Sequence, residues 1–163
     1  MIERSGVFFV AVAHKHILLN CPPWASTRAE LIGGAVKPGE TEWQALSREI
    51  REEAGLDFTS EALKEAHQDH AEYYMNFYAE DLVDHPEKTP WMRYTHHFFF
   101  FDMSEITDLS VLKEHRTGPD GSYVFWQPLD KLQTLPIRED LQQRIDGLRV
   151  GHEHIILEAV NRV

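Results

Sequence analysis

Residues 34–56 read GAVKPGETEWQALSREIREEAGL, and this stretch predicts a single capped helix. Thr41 followed three residues later by Gln44 is the pattern of a capping box, and Gly55 is placed for a left-handed C-terminal cap. We therefore expect a helix over residues 42–54, about three and a half turns long. Its apolar side chains form one stripe that can dock on a sheet, made of Trp43, Leu46, Ile50 and Ala54.

A second face of this predicted helix carries a group of carboxylates. Glu49, Glu52 and Glu53 are spaced so that their side chains lie close together on the helix surface. Like charges at that spacing repel one another, and a solvated helix usually interleaves lysines among its glutamates. Oxygen ligands without histidine or cysteine favour a hard cation, Mg²⁺ or Mn²⁺. The face therefore indicates a metal site, with an exposed acidic surface as the alternative.

The residues around the carboxylates follow a fixed spacing. The pattern consists of Gly34, Glu40, Arg48-Glu49-Ile50, Glu52-Glu53 and Gly55-Leu56. It resembles the complete signature of the Nudix hydrolase family. Seven fixed and two apolar positions match by chance in a chain of this length with a probability of about 10⁻⁷, so the resemblance is specific.

The resemblance implies both a fold and a reaction. The fold is α/β, an α/β/α sandwich around a mixed β-sheet. The reaction is attack of water on the diphosphate linkage of a nucleoside diphosphate joined to another group, with Mg²⁺ or Mn²⁺ as cofactor. Nucleotide sugars, dinucleoside polyphosphates and (d)NTPs are the substrates that this implies.

The same resemblance implies roles for individual residues. Glu49, Glu52 and Glu53 are expected to bind the metal, together with the backbone carbonyl of Gly34. Glu40 and Arg48 are expected to pair and to brace the loop against the helix.

Many family members add an acidic metal ligand or general base from a loop before a later strand. Glu114 and Asp120 are the candidates in this sequence, with His115 as a third. Because none of them has a fixed spacing from the signature, the alternative is that a glutamate of the helix activates the water.

Two segments contain candidate substrate-binding residues. In the loop of residues 21–30, Trp24 could stack on a base and Arg28 could bind a phosphate, although a structural tryptophan is equally compatible. Tyr73 and Tyr74 lie roughly where family members acting on diadenosine polyphosphates carry a tyrosine. An aromatic residue packed in the sheet is the alternative for each.

The remaining segments predict further strands and helices. The strongest strand is residues 92–101, in which four consecutive phenylalanines predict burial on both faces. His96 and His97 must then point to opposite faces. The other elements expected are strands at residues 7–13, 17–20, 72–79 and 122–127, helical or loop structure at 61–70, a turn and loop at 104–121, an inserted loop at 80–90, and helices at 138–148 and 153–161.

Composition limits the classes of partner. Lys and Arg total 16 and Asp and Glu total 27, a net charge of −11, which argues against binding long nucleic acid. A small phosphorylated substrate remains compatible because bound metal ions invert the local charge. No apolar run approaches the roughly 20 residues of a membrane span. Residues 1–163 are expected to form one domain, and the family commonly forms homodimers.

The single cysteine, Cys21, excludes an internal disulfide and favours the cytoplasm. Two other functions stay open at this stage. One is a Nudix module that senses a ligand without cleaving it. The other is an isomerase of prenyl diphosphates, which would need a cysteine opposite a glutamate, a position that Cys21 does not obviously provide.

Overall fold

The computed structural model describes residues 2–23, 29–78 and 91–131. Its strands are β1 Ile2–Ala13, β2 His16–Cys21, β3 Ile32–Ala35, β4 Asp69–Tyr78, β5 Trp91–Asp102, β6 His115–Thr117 and β7 Tyr123–Pro128. Its helices are α1 Glu42–Ala54, α2 Ser60–Ala66 and two short 3₁₀ helices, Leu109–Lys113 and Leu129–Lys131. Trp24, Arg28, the inserted loop at 80–90 and the two predicted C-terminal helices lie outside the described residues.

The strands form one mixed sheet, as expected from the sequence. The order is β4-β5-β1-β2-β7-β6, with β1 and β5 parallel and the neighbouring pairs otherwise antiparallel. Because β5 pairs with β1 along nearly its whole length, β2 and β3 share the other edge of β1. The sheet therefore divides at this edge, where β3 and β2 separate.

Strand β5 separates two hydrophobic cores. Phe98 and Phe100 pack on one side of the sheet, whereas Phe99 and Phe101 pack on the other with the apolar residues of α1. All four side chains are buried. The prediction of a central strand buried on both faces is confirmed, and alternation of side chains along a strand explains it.

Helix α1 has the predicted bounds. The Thr41 side chain accepts the N–H of Gln44, the Gln44 side chain accepts the N–H of Thr41, and Gly55 ends the helix with φ 69°. Leu46, Ile50 and Ala54 are buried, and Trp43 packs on Phe99 with ring centroids 4.3 Å apart. The structure differs from the prediction in one respect. Glu53, which was assigned to the carboxylate face, is buried together with the apolar residues.

Other boundaries needed correction. Strand β1 begins at Ile2 and not at Val7, since parallel pairing with β5 extends over its polar first residues. The segment expected to be only turn and loop, residues 104–121, contains a 3₁₀ helix and the edge strand β6. All three residues of β6 are exposed, so no hydrophobic alternation marked it in the sequence.

Within the described ranges, no helix is long and apolar enough to span a bilayer.

Candidate active site

The three glutamates of α1 occupy different environments. Glu53 is buried, with only 4% of the residue exposed, and the Glu49 side chain is 13% exposed. The Glu52 side chain is 46% exposed. One turn of helix therefore presents two carboxylates to the protein and one to solvent.

Glu53 lies against the division between β2 and β3. Its Oε2 accepts hydrogen bonds from the Asn20 amide on β2 and from the N–H of Gly33 on β3, the latter at 3.2 Å. Burial raises the pKa of Glu53 to about 9, and the charge of Glu49 adds to this effect. The carboxyl group is consequently protonated at neutral pH unless a cation takes the place of the proton.

Glu49 lies against the glycine pair of β3. A Cβ atom added at Gly34 would overlap Oε1 of Glu49, so only glycine leaves room for this carboxylate. Burial raises the pKa of Glu49, although the hydrogen bond and the charge of Arg48 oppose the shift. Two carboxyl groups thus share one small volume beside the backbone of residues 33 and 34.

Arg48 connects the loop before α1 with the carboxylates. Its guanidinium donates two hydrogen bonds to Glu40, at 2.8 and 2.9 Å, and one to the carbonyl of Ala35 at 2.9 Å. It also donates to Glu49 at 2.8 Å and lies 3.4 Å from an oxygen of Glu52. Arg48 lowers the pKa of Glu40 to about 2, which keeps that partner ionised.

The turn at residues 118–121 packs on the C-terminal end of α1. The N–H of Asp120 donates to the carbonyl of Glu52 at 3.1 Å. Gly118 lies so close to the carbonyl of Glu53 that a Cβ would overlap it. The negative charge of Asp120 contributes to the raised pKa of Glu53. The structure therefore brings Asp120 to the helix glutamates.

The other two loop candidates lie elsewhere. Glu114 follows the first 3₁₀ helix and His115 begins β6. Both line a groove that also contains Leu56, Phe58 and Trp126. This groove is separate from the glycine pair and its carboxylates.

The donor chemistry of the site fits a divalent hard cation. Its potential ligands are carboxylate oxygens, without histidine or cysteine, and burial followed by the charges of neighbouring carboxylates raises the pKa of Glu53. The Oδ1 atom of Asn20 is buried, and no hydrogen-bond donor reaches it from the described residues. Glu49, Glu52 and Glu53 are the residues that would hold Mg²⁺ or Mn²⁺.

Several residues near the glutamates were missed by sequence reasoning. The charge of Glu30 adds to the raised pKa of Glu53, and the residue bridges to Asn20 outside the named strands. The polar side chain of Asn20 interrupts the apolar run of β2. This interruption was the signal in the sequence that could have indicated a functional residue in β2. The position of Glu30 depends on its bridge to Asn20 of β2, a contact between residues ten apart that no local sequence pattern shows.

A half-buried aromatic surface was also missed. His96 contacts Phe8 and Tyr94 edge to face, with centroids 5.1 and 4.8 Å apart. Burial raises the pKa of Tyr94, and the charge of Glu49 adds to this effect. The Tyr94 ring lies over Gly6, which pairs with Ala35 of β3, so this surface lies beside the strand that carries the glycine pair. The contact depends on the pairing of β1 with β5, which the sequence did not reveal.

The two candidate tyrosines point to opposite faces of β4. Tyr73 packs on Phe98, with centroids 5.6 Å apart, on the side of the aromatic surface. Tyr74 is 61% exposed and donates to Glu72 at 2.9 Å. The structure therefore places Tyr73 on the side of the sheet that carries Phe8 and His96, and Tyr74 on the α1 side.

In the metal-free protein, we expect Glu53→Gln to increase the free energy of unfolding by about 1–4 kcal/mol near pH 8. The folded-state pKa of Glu53 is about 9, above its ordinary value of 4.5. Its stabilising contribution is therefore complete below pH 4.5 and is lost as pH rises towards 9. Glutamine stays neutral and retains an acceptor for the Asn20 and Gly33 donors.

Urea unfolding in the presence of a chelator measures this effect. The wild-type protein should lose stability relative to Glu53→Gln between about pH 5 and about pH 8. Parallel pH profiles of the two proteins would contradict the raised pKa.

Comparison with known proteins identifies the family. A family model described as the NUDIX domain matches residues 3–146. No curated protein is similar enough to the sequence to give a match.

Solved structures share the fold. The MutT protein from Bacillus halodurans has 17% sequence identity and a TM-score of 0.54, with 96% of this chain and 82% of that chain covered. MutT from Methanosarcina mazei Go1 has 17% identity and a TM-score of 0.55, with 99% and 94% covered. A bifunctional NMN adenylyltransferase/ADP ribose pyrophosphatase from Francisella tularensis, complexed with AMP and a Mn ion, has 20% identity and a TM-score of 0.55, with 98% and 42% covered.

Identities of this size establish the fold, and the family model covers most of the sequence. The signature, the mixed sheet and the matched domain agree with one another. The chain belongs to the NUDIX domain family and is a Nudix hydrolase.

Proposed function

We propose that this protein hydrolyses a diphosphate linkage in a nucleoside diphosphate joined to another group, and that it requires Mg²⁺ or Mn²⁺. One observation carries the proposal. The carboxylates of Glu49 and Glu53 are crowded against the glycine pair of β3, at an energetic cost that a divalent cation would remove.

The residues around the carboxylates have different roles in the proposed reaction. Arg48 fixes Glu49 in place, and the exposed Glu52 faces the solvent from which substrate arrives. When bound, a divalent cation neutralises charge on the diphosphate and lowers the pKa of water. Asp120 is the loop residue that we propose as general base. Its Oδ1 accepts the N–H of Ser122 at 2.8 Å, so Oδ2 is the atom that takes the proton.

The aromatic surface supports a nucleotide-type substrate. Phe8, Tyr94 and His96 are half-buried and lie beside β3, where Phe8 pairs with Gly33. A nucleobase stacked on such rings gains about 1–3 kcal/mol, which would hold its diphosphate near the metal ligands. The Francisella tularensis neighbour, which is complexed with AMP and a Mn ion, suggests adenine nucleotides as the first to test.

A product-mass screen tests the proposal. Purified protein with Mg²⁺ or Mn²⁺ is incubated with dinucleoside polyphosphates, nucleotide sugars, ADP-ribose and (d)NTPs. We expect a nucleoside monophosphate together with a phosphorylated product or pyrophosphate, and no turnover in excess chelator. Tight binding of a panel member without turnover would instead favour the ligand-sensing module.

We further propose that residues 1–163 act as one domain and that the protein works in the cytoplasm. Cys21 is buried and is the single cysteine of the sequence, so no internal disulfide can form, which suits a reducing compartment.

A further inference from the structure

Two histidines and a glutamate meet on the α1 side of the sheet, apart from the signature glutamates. His70 and Glu72 lie on β4, and His97 lies opposite Glu72 on β5. Their ligand atoms all lie within 4.8 Å of one another. We call these three residues the histidine cluster.

The distances within the histidine cluster match those of a metal site. Nε2 of His70 and Nδ1 of His97 are 3.0 Å apart. Oε1 of Glu72 lies 3.6 Å from the first and 3.5 Å from the second. A tetrahedral ion about 2.0–2.1 Å from its ligands requires neighbouring ligand atoms to be about 3.3–3.4 Å apart. The three atoms therefore already form the triangular face of a tetrahedral site.

The surroundings hold the three ligand atoms in place. Oε2 of Glu72 accepts the hydroxyl of Tyr74 at 2.9 Å, which leaves Oε1 for the cluster. Nε2 of His97 faces Oε1 of Glu42 at 3.9 Å, the carboxylate partner that a metal-binding histidine commonly has on its second nitrogen. His70 stacks on Phe99, with centroids 4.6 Å apart.

The histidine cluster has a solvent-facing side. The side chain of His97 is 10% exposed, whereas those of His70 and Glu72 are 34% and 40% exposed, so water can occupy a fourth position.

We propose that His70, Glu72 and His97 bind a transition-metal ion of the Zn²⁺ class, with Glu42 as the outer partner of His97. Two imidazoles and one carboxylate suit Zn²⁺, whereas the all-oxygen site on α1 suits Mg²⁺ or Mn²⁺. Glu42 begins α1, and Glu49 lies about 10 Å further along the helix axis. The ion would join β4, β5 and the start of α1, and would stabilise the fold without taking part in hydrolysis.

Cobalt spectroscopy of the full chain tests the proposal. Chelator-treated protein is titrated with Co²⁺, which absorbs strongly in tetrahedral sites and weakly in octahedral oxygen sites, and bound Co²⁺ is then displaced by Zn²⁺. We expect one equivalent with a tetrahedral spectrum, and a higher melting temperature with Zn²⁺. The variants His70→Gln and Glu72→Gln change exposed side chains and should lower affinity about 100-fold or more.

Two control variants separate this site from the site on α1. Glu53→Gln and the exposed His115→Gln should both keep the tetrahedral spectrum. An unchanged spectrum and affinity in His70→Gln would overturn the proposal. So would a spectrum that disappears in Glu53→Gln, because the ion would then belong to the α1 glutamates. Neither result depends on whether the protein hydrolyses diphosphates.

Discussion

Replacing Glu53 by glutamine is expected to lower kcat by about three to five orders of magnitude while the protein stays folded. The carboxylate of Glu53 is buried beside Glu49 and is fixed by donors from Asn20 and Gly33. Glutamine preserves the shape and an acceptor for these donors but removes the charge that would hold the cation. Rate measurements with the best substrate of the panel, at saturating Mg²⁺, give the effect.

A matched substitution shows whether the loss is specific. Glu65→Gln removes one negative charge from an exposed position of α2 and should leave kcat unchanged. Circular dichroism should give the same spectrum for both variants and the wild-type protein. Near-normal activity of Glu53→Gln would mean that Glu53 is not a metal ligand.

Replacing Gly34 by alanine is expected to reduce activity by about two orders of magnitude or more. The new Cβ would overlap the carboxylate of Glu49, which is the movable end of a side chain, so this carboxylate must leave its place beside β3. Its hydrogen bond with Arg48 would be disturbed as well. Initial rates and the Mg²⁺ concentration for half-maximal activity should both reveal the displacement.

Gly118→Ala provides the contrast to Gly34→Ala. Its added Cβ would overlap the carbonyl of Glu53, which is part of the helix backbone. We therefore expect Gly118→Ala to lower the melting temperature markedly, and Gly34→Ala to lower it little. If Gly34→Ala retained full activity, Glu49 would not need its present position for catalysis.

Local patterns in the sequence were enough to predict the bounds of α1 and the burial of β5 on both faces. The capping residues, the apolar stripe and Gly55 all act within a few residues, so the helix bounds were predicted correctly. The four phenylalanines of β5 required burial on both faces, whatever the neighbouring strands. The family signature then supplied the sheet class, which composition and periodicity alone could not.

The features missed from the sequence depend on contacts between distant strands. The burial of Glu53 arises because β2 and β3 separate beside α1, which brings Asn20 and Gly33 to its carboxylate. The histidine cluster depends on the register that sets Glu72 opposite His97. The adjacent positions of His96 and His97 predicted that the two rings point to opposite faces of the sheet. They did not predict which side chains each ring contacts.

The most direct test of the account is to locate the bound metal. Crystals grown with Mn²⁺ and measured where manganese scatters anomalously would show each ion as a peak. The account predicts a peak among the carboxylates of Glu49, Glu52 and Glu53, beside Gly34. Ordered Mn²⁺ elsewhere in the protein, with these three carboxylates bare, would contradict it.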